Sequence, residues 1–273
     1  MDYDLRLDLL NSNHFTPAWL NEIGALGLLK VSKILFNDYR IVPLIFSMAL
    51  LVLVYFLSYK ITGNRIASLL SVLIVASSKI FFWYSTSMVY PNFWVLFLLL
   101  AVYPLTRKSK YSHLSFLTSI FSKGLSFVFL PILLYYPVKL RQKGMIFGYV
   151  LVSSLIVGMI LALNFVGSKV YFHVDNIDKI TNWATNLKAD PIILALLIPV
   201  VWCLIYLHKK RTAYSGFLLV SLLYSMFVPY ILVLFTDYVD QQYRFLPFVV
   251  FFALSCSLII SKGKILVAPF KRF

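Results

Sequence analysis

The feature that most limits how this chain can fold is a series of long apolar stretches separated by short clusters of lysine and arginine. Seven stretches, at 41–58, 67–84, 91–105, 145–165, 191–207, 214–236 and 244–261, come close to the roughly 20 residues that a helix needs to cross a bilayer. Hydrocarbon holds no water for backbone N–H and C=O groups, so a spanning segment must satisfy them internally. The alternation of a transmembrane barrel strand is missing here. The expected fold is therefore all-α, a polytopic bundle of about seven transmembrane spans. An eighth apolar region, 113–138, is interrupted at Ser122-Lys123-Gly124 and carries Pro131, which predicts a hairpin of two short helices. Ahead of the first span, Ile23, Leu26, Leu28, Leu29, Ile34 and Leu35 are interspersed with Lys30 and Lys33. That pattern predicts an N-terminal amphipathic helix lying in the membrane interface, although an ordinary helix packed in an external domain fits it too.

Composition places the chain in the same class. Hydrophobic residues make up 61% of the 273 and charged residues 13%, against roughly 25% charged in soluble domains. A net charge of +15 raises nucleic acid as a partner, but the basic residues sit in separate clusters between spans and form no continuous face. No nucleic-acid partner is expected, and the lipid bilayer is. Of the 25 basic residues, 15 fall in the clusters 60–65, 107–110, 139–143, 209–211 and 262–272, which alternation of the spans puts on one side. The positive-inside rule makes that side cytoplasmic. All ten acidic residues, namely Asp2, Asp4, Asp8, Glu22, Asp38, Asp175, Asp178, Asp190, Asp237 and Asp240, then fall on the other side.

This layout gives an external N-terminal segment 1–40, a transmembrane domain 41–273 with an external loop 166–190, and a cytoplasmic C-terminus. The opening MDYDLRLDLL is acidic where a secretory leader would be basic and then apolar, so no cleavable signal peptide is expected. External placement of 1–40 then calls for translocation of a short tail or for a further helix upstream.

Four groups of residues are candidates for chemistry. Asp2 and Asp4 form an acidic pair able to hold a divalent cation or to take a proton from an acceptor hydroxyl; solvated N-terminal carboxylates are the plainer reading. Arg244, in Tyr243-Arg244-Phe245-Leu246-Pro247 at the outer start of the last span, is suited to bidentate binding of a phosphate. A pairing with Asp240 or an interfacial anchor explains it equally. Lys79 and Lys123 are the basic residues deepest in apolar sequence, where a charge is costly enough to mark function by default. Lys79 is near the end of its span and can snorkel, whereas Lys123 adjoins a helix break whose freed backbone groups call for a polar cavity. The tract from Trp83 to Asn92, with Tyr84 and Tyr90, is an aromatic and hydroxyl-rich turn that also reads as an aromatic belt. The four histidines, and Cys203 and Cys256, show no ligand spacing. No nucleophile elbow, phosphate-binding glycine loop, zinc helix or transporter-type half-helix repeat is present.

The order of these features resembles the membrane core of GT-C superfamily glycosyltransferases, which use polyprenyl-phosphate-linked sugars and include protein mannosyltransferases and aminoarabinose transferases. Asp2-Tyr3-Asp4 resembles the acidic motif of their first external loop, and 23–36 their interfacial helices. The run from Arg40-Ile41-Val42-Pro43 to Gly63-Asn64-Arg65, with the span ending in Tyr84-Ser85-Thr86-Ser87, is similar to their second and third spans. Ser122-Lys123-Gly124-Leu125-Ser126 through Pro131 resembles their short helical pair, and Tyr243 to Pro247 their late arginine segment. The resemblance implies Asp2 or Asp4 as the base, with any divalent metal falling to the same pair. It implies Lys123 and Arg244 as phosphate contacts, and Lys79, Tyr84, Tyr90 and Tyr243 around a polyprenyl-phosphate-linked sugar. Two departures stand out: the transmembrane helix that normally positions the acidic motif is missing ahead of it, and no large soluble domain follows the last span. They keep a second reading open, a non-catalytic integral membrane subunit of a larger complex that acts through a partner membrane subunit.

Overall fold

The computed structural model describes residues 23–85, 91–105, 111–167, 190–233 and 242–263. Among these, 89% are helical and no strand occurs. Eleven α-helices are described: α1 (Ile23–Phe36), α2 (Ile41–Thr62), α3 (Arg65–Ser77), α4 (Lys79–Tyr84), α5 (Pro91–Leu105), α6 (Tyr111–Ser122), α7 (Leu130–Lys139), α8 (Lys143–Gly167), α9 (Pro191–Lys209), α10 (Ser215–Val233) and α11 (Leu246–Ser261). Short 3-10 turns at Gly124–Phe129 and Gln242–Phe245 lead into α7 and α11. Three of the described helices are long and apolar enough to cross a membrane, namely Ile41–Thr62, Pro191–Lys209 and Tyr243–Ser261.

Local chemistry explains several of the boundaries. After α2 the chain needs a left-handed residue to close the helix, and Gly63, at φ +66°, supplies it without a Cβ penalty while its N–H bonds Tyr59 O at 2.7 Å. Asn64 then caps α3, its side-chain oxygen accepting from Ile66 N at 2.9 Å and Ala67 N at 3.2 Å. Between α1 and α2, the Ser32 hydroxyl donates to Asp38 O at 2.5 Å and accepts from Val42 N at 3.1 Å, so one buried side chain satisfies both strands of the turn. The predicted break at Lys123-Gly124 is present, with α6 ending at Ser122 and α7 beginning at Leu130.

The stretch 67–84, expected as one span, is divided. Ser78 takes an extended conformation (ψ 128°) and separates α3 from α4. The cause is the bonding described below, which diverts the backbone at this serine.

The chain forms two compact units, one from 1–50 and 83–172, the other from 51–82 and 173–273. In the first, α5 is buried along its described length, from Asn92 to Val102 with Phe97 and Leu100 only partly covered, and packs on α6. Leu26, Leu29, Val42 and Phe93 make a core beneath α1, and Phe46 meets Phe93 edge-on at 4.5 Å. The helix expected over 23–36 is present as α1, and its exposed side is itself largely apolar. Leu26 and Leu29 face inward, whereas Ile34 (80% exposed), Leu35 (67%) and Lys33 face outward. In the second unit α11 is the central element, in contact with α3, α9 and α10 and buried on every side from Leu246 to Ser255. A helix apolar all round belongs inside a bundle. Between apolar helices in a bilayer, cohesion comes from close packing and occasional polar contacts, because lipid is no less apolar than leucine. One such contact joins α2 to α11, where the Ser58 hydroxyl donates to Ser257 Oγ at 2.9 Å.

Candidate functional site

In the second unit the residue with the strongest claim to function is Arg244. It sits in the 3-10 turn ahead of α11 and is only 5% exposed, beside Tyr243 at 3%. Phe245, Leu246 and Phe248 follow, all buried, so the guanidinium lies at the head of a deeply packed apolar helix. Desolvating a guanidinium costs several kcal/mol. A rim anchor that snorkels to the headgroups avoids that cost by remaining exposed, which this residue does not.

Lys79 lies at the first position of α4 with its side chain exposed. Its backbone carries the more informative contact. Lys79 N donates to Asp190 Oδ1 at 2.9 Å, and the Ser78 hydroxyl donates to Asp190 Oδ2 at 2.6 Å. Asp190 precedes α9 and makes no capping bond to it. It caps α4 instead, so one carboxylate holds the break between α3 and α4. Sequence reasoning counted Asp190 only as an external charge; nothing local distinguishes it from a helix cap before Pro191.

In the first unit, Lys123 bridges α6 and the following 3-10 turn in an extended conformation (φ −157°, ψ 116°), with its side chain half-buried. Its N–H bonds Ser119 O at 3.0 Å, and its carbonyl accepts from Ser126 N at 2.9 Å. The freed backbone is also served by hydroxyls: Ser126 Oγ donates to Ser119 O at 3.0 Å, and Ser119 Oγ to Trp94 O at 2.8 Å. Tyr84 ends α4 half-buried. Asp2, Asp4 and Tyr90 lie outside the described residues.

A polar cluster unnoticed in the sequence lies where the aromatic tract meets α5. Asn92 Nδ2 donates to Ser47 Oγ at 2.5 Å, and Ser47 Oγ lies within donating distance of Pro43 O (2.8 Å) and Ser85 O (2.9 Å). Asn92 is 1% exposed, and its Oδ1 is buried with no hydrogen-bond partner among the described residues. An orphan amide oxygen in such a place is an acceptor for a hydroxyl. A serine inside an apolar span carries no mark that it will meet an asparagine 45 residues later.

Lys123 belongs to the first unit, and Lys79, Tyr243 and Arg244 to the second. Among the described residues no group of three or more His, Cys, Asp or Glu side chains is placed to hold a metal ion. The residues to which a metal was assigned, Asp2 and Asp4, are not among them. Cys203 and Cys256 are free thiols. Compared with family models, curated proteins and solved structures, the chain finds no match.

Proposed function

We propose that this chain is a membrane-embedded glycosyltransferase, built of seven spans and a short helical hairpin, that moves a sugar from a polyprenyl phosphate to an acceptor on the non-cytoplasmic side. The observation that carries the reading is Arg244, a guanidinium 5% exposed at the head of an apolar helix. Keeping a charge there is costly, and intramembrane charge marks ligand or ion sites by default. A phosphate monoanion on a lipid arrives at that depth, and a planar guanidinium binds it through two parallel hydrogen bonds.

In the reaction the acceptor oxygen attacks the anomeric carbon and the bond from that carbon to the phosphate oxygen breaks. The electron pair leaves with polyprenyl phosphate, and the acceptor proton goes to Asp2 or Asp4. Arg244 stabilises the departing phosphate charge, in surroundings where such stabilisation exceeds its value in water, and the resemblance gives Lys123 the same role. The resemblance gives Tyr84, Tyr90, Tyr243 and Lys79 to the sugar; in the first unit, the buried Asn92 Oδ1 is an acceptor for a hydroxyl.

The test is transfer from a panel of radiolabelled polyprenyl-phosphate sugars by purified, folded chain. Arg244→Ala should lower turnover about 100-fold or more, the scale seen when a preorganised stabilising donor is removed. Unchanged turnover in that variant refutes the assignment. No turnover by folded wild-type chain transfers the case to the non-catalytic membrane subunit.

A further inference from the structure

Two inter-helix turns, one in each unit, share an unusual construction. Between α7 and α8, Arg141 has φ +53°; between α9 and α10, Arg211 has φ +56°. Each arginine occupies the left-handed position just past a helix end, where glycine is the favoured residue because it has no Cβ to clash. The surrounding bonds match. Arg141 N bonds Val138 O at 3.1 Å and Gln142 N bonds Pro137 O at 2.8 Å, while Arg211 N bonds His208 O at 2.9 Å and Thr212 N bonds Leu207 O at 3.0 Å. Each turn also places a lysine over the ring of a tyrosine one helical turn earlier, Lys139 over Tyr135 at 5.8 Å and Lys210 over Tyr206 at 5.7 Å.

Setting membrane topology needs only positive charge near the helix ends, and Lys139, Lys143, Lys209 and Lys210 already supply it. It does not need a side chain with a Cβ where the backbone favours glycine. In both turns the strained position holds the one side chain that binds phosphate bidentately. Both guanidinium groups are exposed, and no acidic residue occurs in the chain between Asp38 and Asp175 or between Asp190 and Asp237.

The neighbouring surface fixes the depth. α8 turns Phe147, Val150 and Leu151 outward soon after Lys143, and α9 turns Ile198, Trp202 and Ile205 outward up to Tyr206. Such faces belong in hydrocarbon, which leaves each basic turn level with the headgroups. We propose that the turns 139–143 and 209–212 are binding sites for the phosphate of anionic phospholipids in the host bilayer, with Arg141 and Arg211 as the specific ligands. This rests on the chain spanning a membrane and is independent of sugar transfer.

The experiment uses the full chain in neutral detergent, titrated with phosphatidylglycerol or phosphatidylcholine, with bound lipid read by native mass spectrometry and melting temperature recorded alongside. Phosphatidylglycerol should be retained and raise the melting temperature, and phosphatidylcholine should not. The Arg141→Gly, Arg211→Gly double variant should lose roughly fivefold of the preference for anionic lipid per arginine. Its melting temperature in lipid-free neutral detergent should stay level or rise, because glycine adopts positive φ without strain. Retention of the wild-type preference in the double variant overturns the proposal. So does a fall in its melting temperature without lipid, which would make the arginines structural. The same thermal shift produced by inorganic phosphate would also overturn it, since the site would then bind a free anion. The single variants Arg141→Gln and Arg211→Gln keep the backbone strain and remove the charge; each must lower anionic-lipid retention, and unchanged retention counts against the proposal even where the double variant fails to fold.

Discussion

Adding one methyl group at Gly148 should destabilise the first unit, and the structure gives the scale. A Cβ on Gly148 would lie 2.6 Å from His113 Nε2 and 3.0 Å from its Cδ2, well inside van der Waals contact. The imidazole has no easy retreat. It hydrogen-bonds Met145 O at 3.1 Å through Nε2 and packs on the Tyr149 ring at 4.3 Å between centroids. Tyr149 is in turn held by hydrogen bonding with Ser112, whose hydroxyl also donates to Ala101 O. Displacing the ring forfeits a hydrogen bond of about 1 kcal/mol net and an aromatic contact of about 0.5–1.5 kcal/mol. Against this, alanine gains about 0.5–1 kcal/mol over glycine in a helix. The net cost of Gly148→Ala is therefore about 0.5–2 kcal/mol. Gly158 of the same helix has nothing within 4 Å of its Cβ position among the described residues, so Gly158→Ala should keep the propensity gain alone. Equilibrium unfolding of both variants in mixed micelles measures the difference. A His113→Ala background should abolish the cost at Gly148 if the clash is the cause. The reasoning is refuted if Gly148→Ala behaves like Gly158→Ala, or if removing the imidazole leaves the penalty intact.

Asp190→Ala removes the acceptor of both the Ser78 hydroxyl and the Lys79 amide. Since Asp190 is only half-buried, the expected loss is about 1–2 kcal/mol. Hydrogen exchange at the amides of Lys79 and Ile80 should accelerate, and unchanged exchange would show that α4 is held by other contacts. Ser58→Ala and Ser257→Ala should each cost about 0.6 kcal/mol, the mean for a polar contact between membrane helices, and should couple in a double-mutant cycle. Additive effects would mean that the bond contributes nothing to stability.

Much of the helical plan was legible in one dimension. Span length, the clustering of basic residues and the break at Ser122-Lys123-Gly124 all depend on neighbours in sequence, and α5, α8, α9, α10 and α11 fall close to the stretches read as apolar. The break at Ser78 was not legible, because its cause is a carboxylate 112 residues away. The serines of α2 behave alike: Ser47 and Ser58 look the same in sequence, yet one meets Asn92 and the other Ser257.

The same division applies to the candidate site. That residue 244 is an arginine beside a tyrosine at the start of an apolar stretch is a property of the chain. Whether it snorkels or is buried depends on which helices close around the turn before α11, and packing decided for burial. Hydrophobic length is a local quantity, and the solvent acts on each segment separately, so a linear reading recovers much of the helical plan. Hydrogen bonds between helices, and the fate of a buried charge, depend on contacts between segments far apart in the chain. Those contacts exist only after the helices have packed.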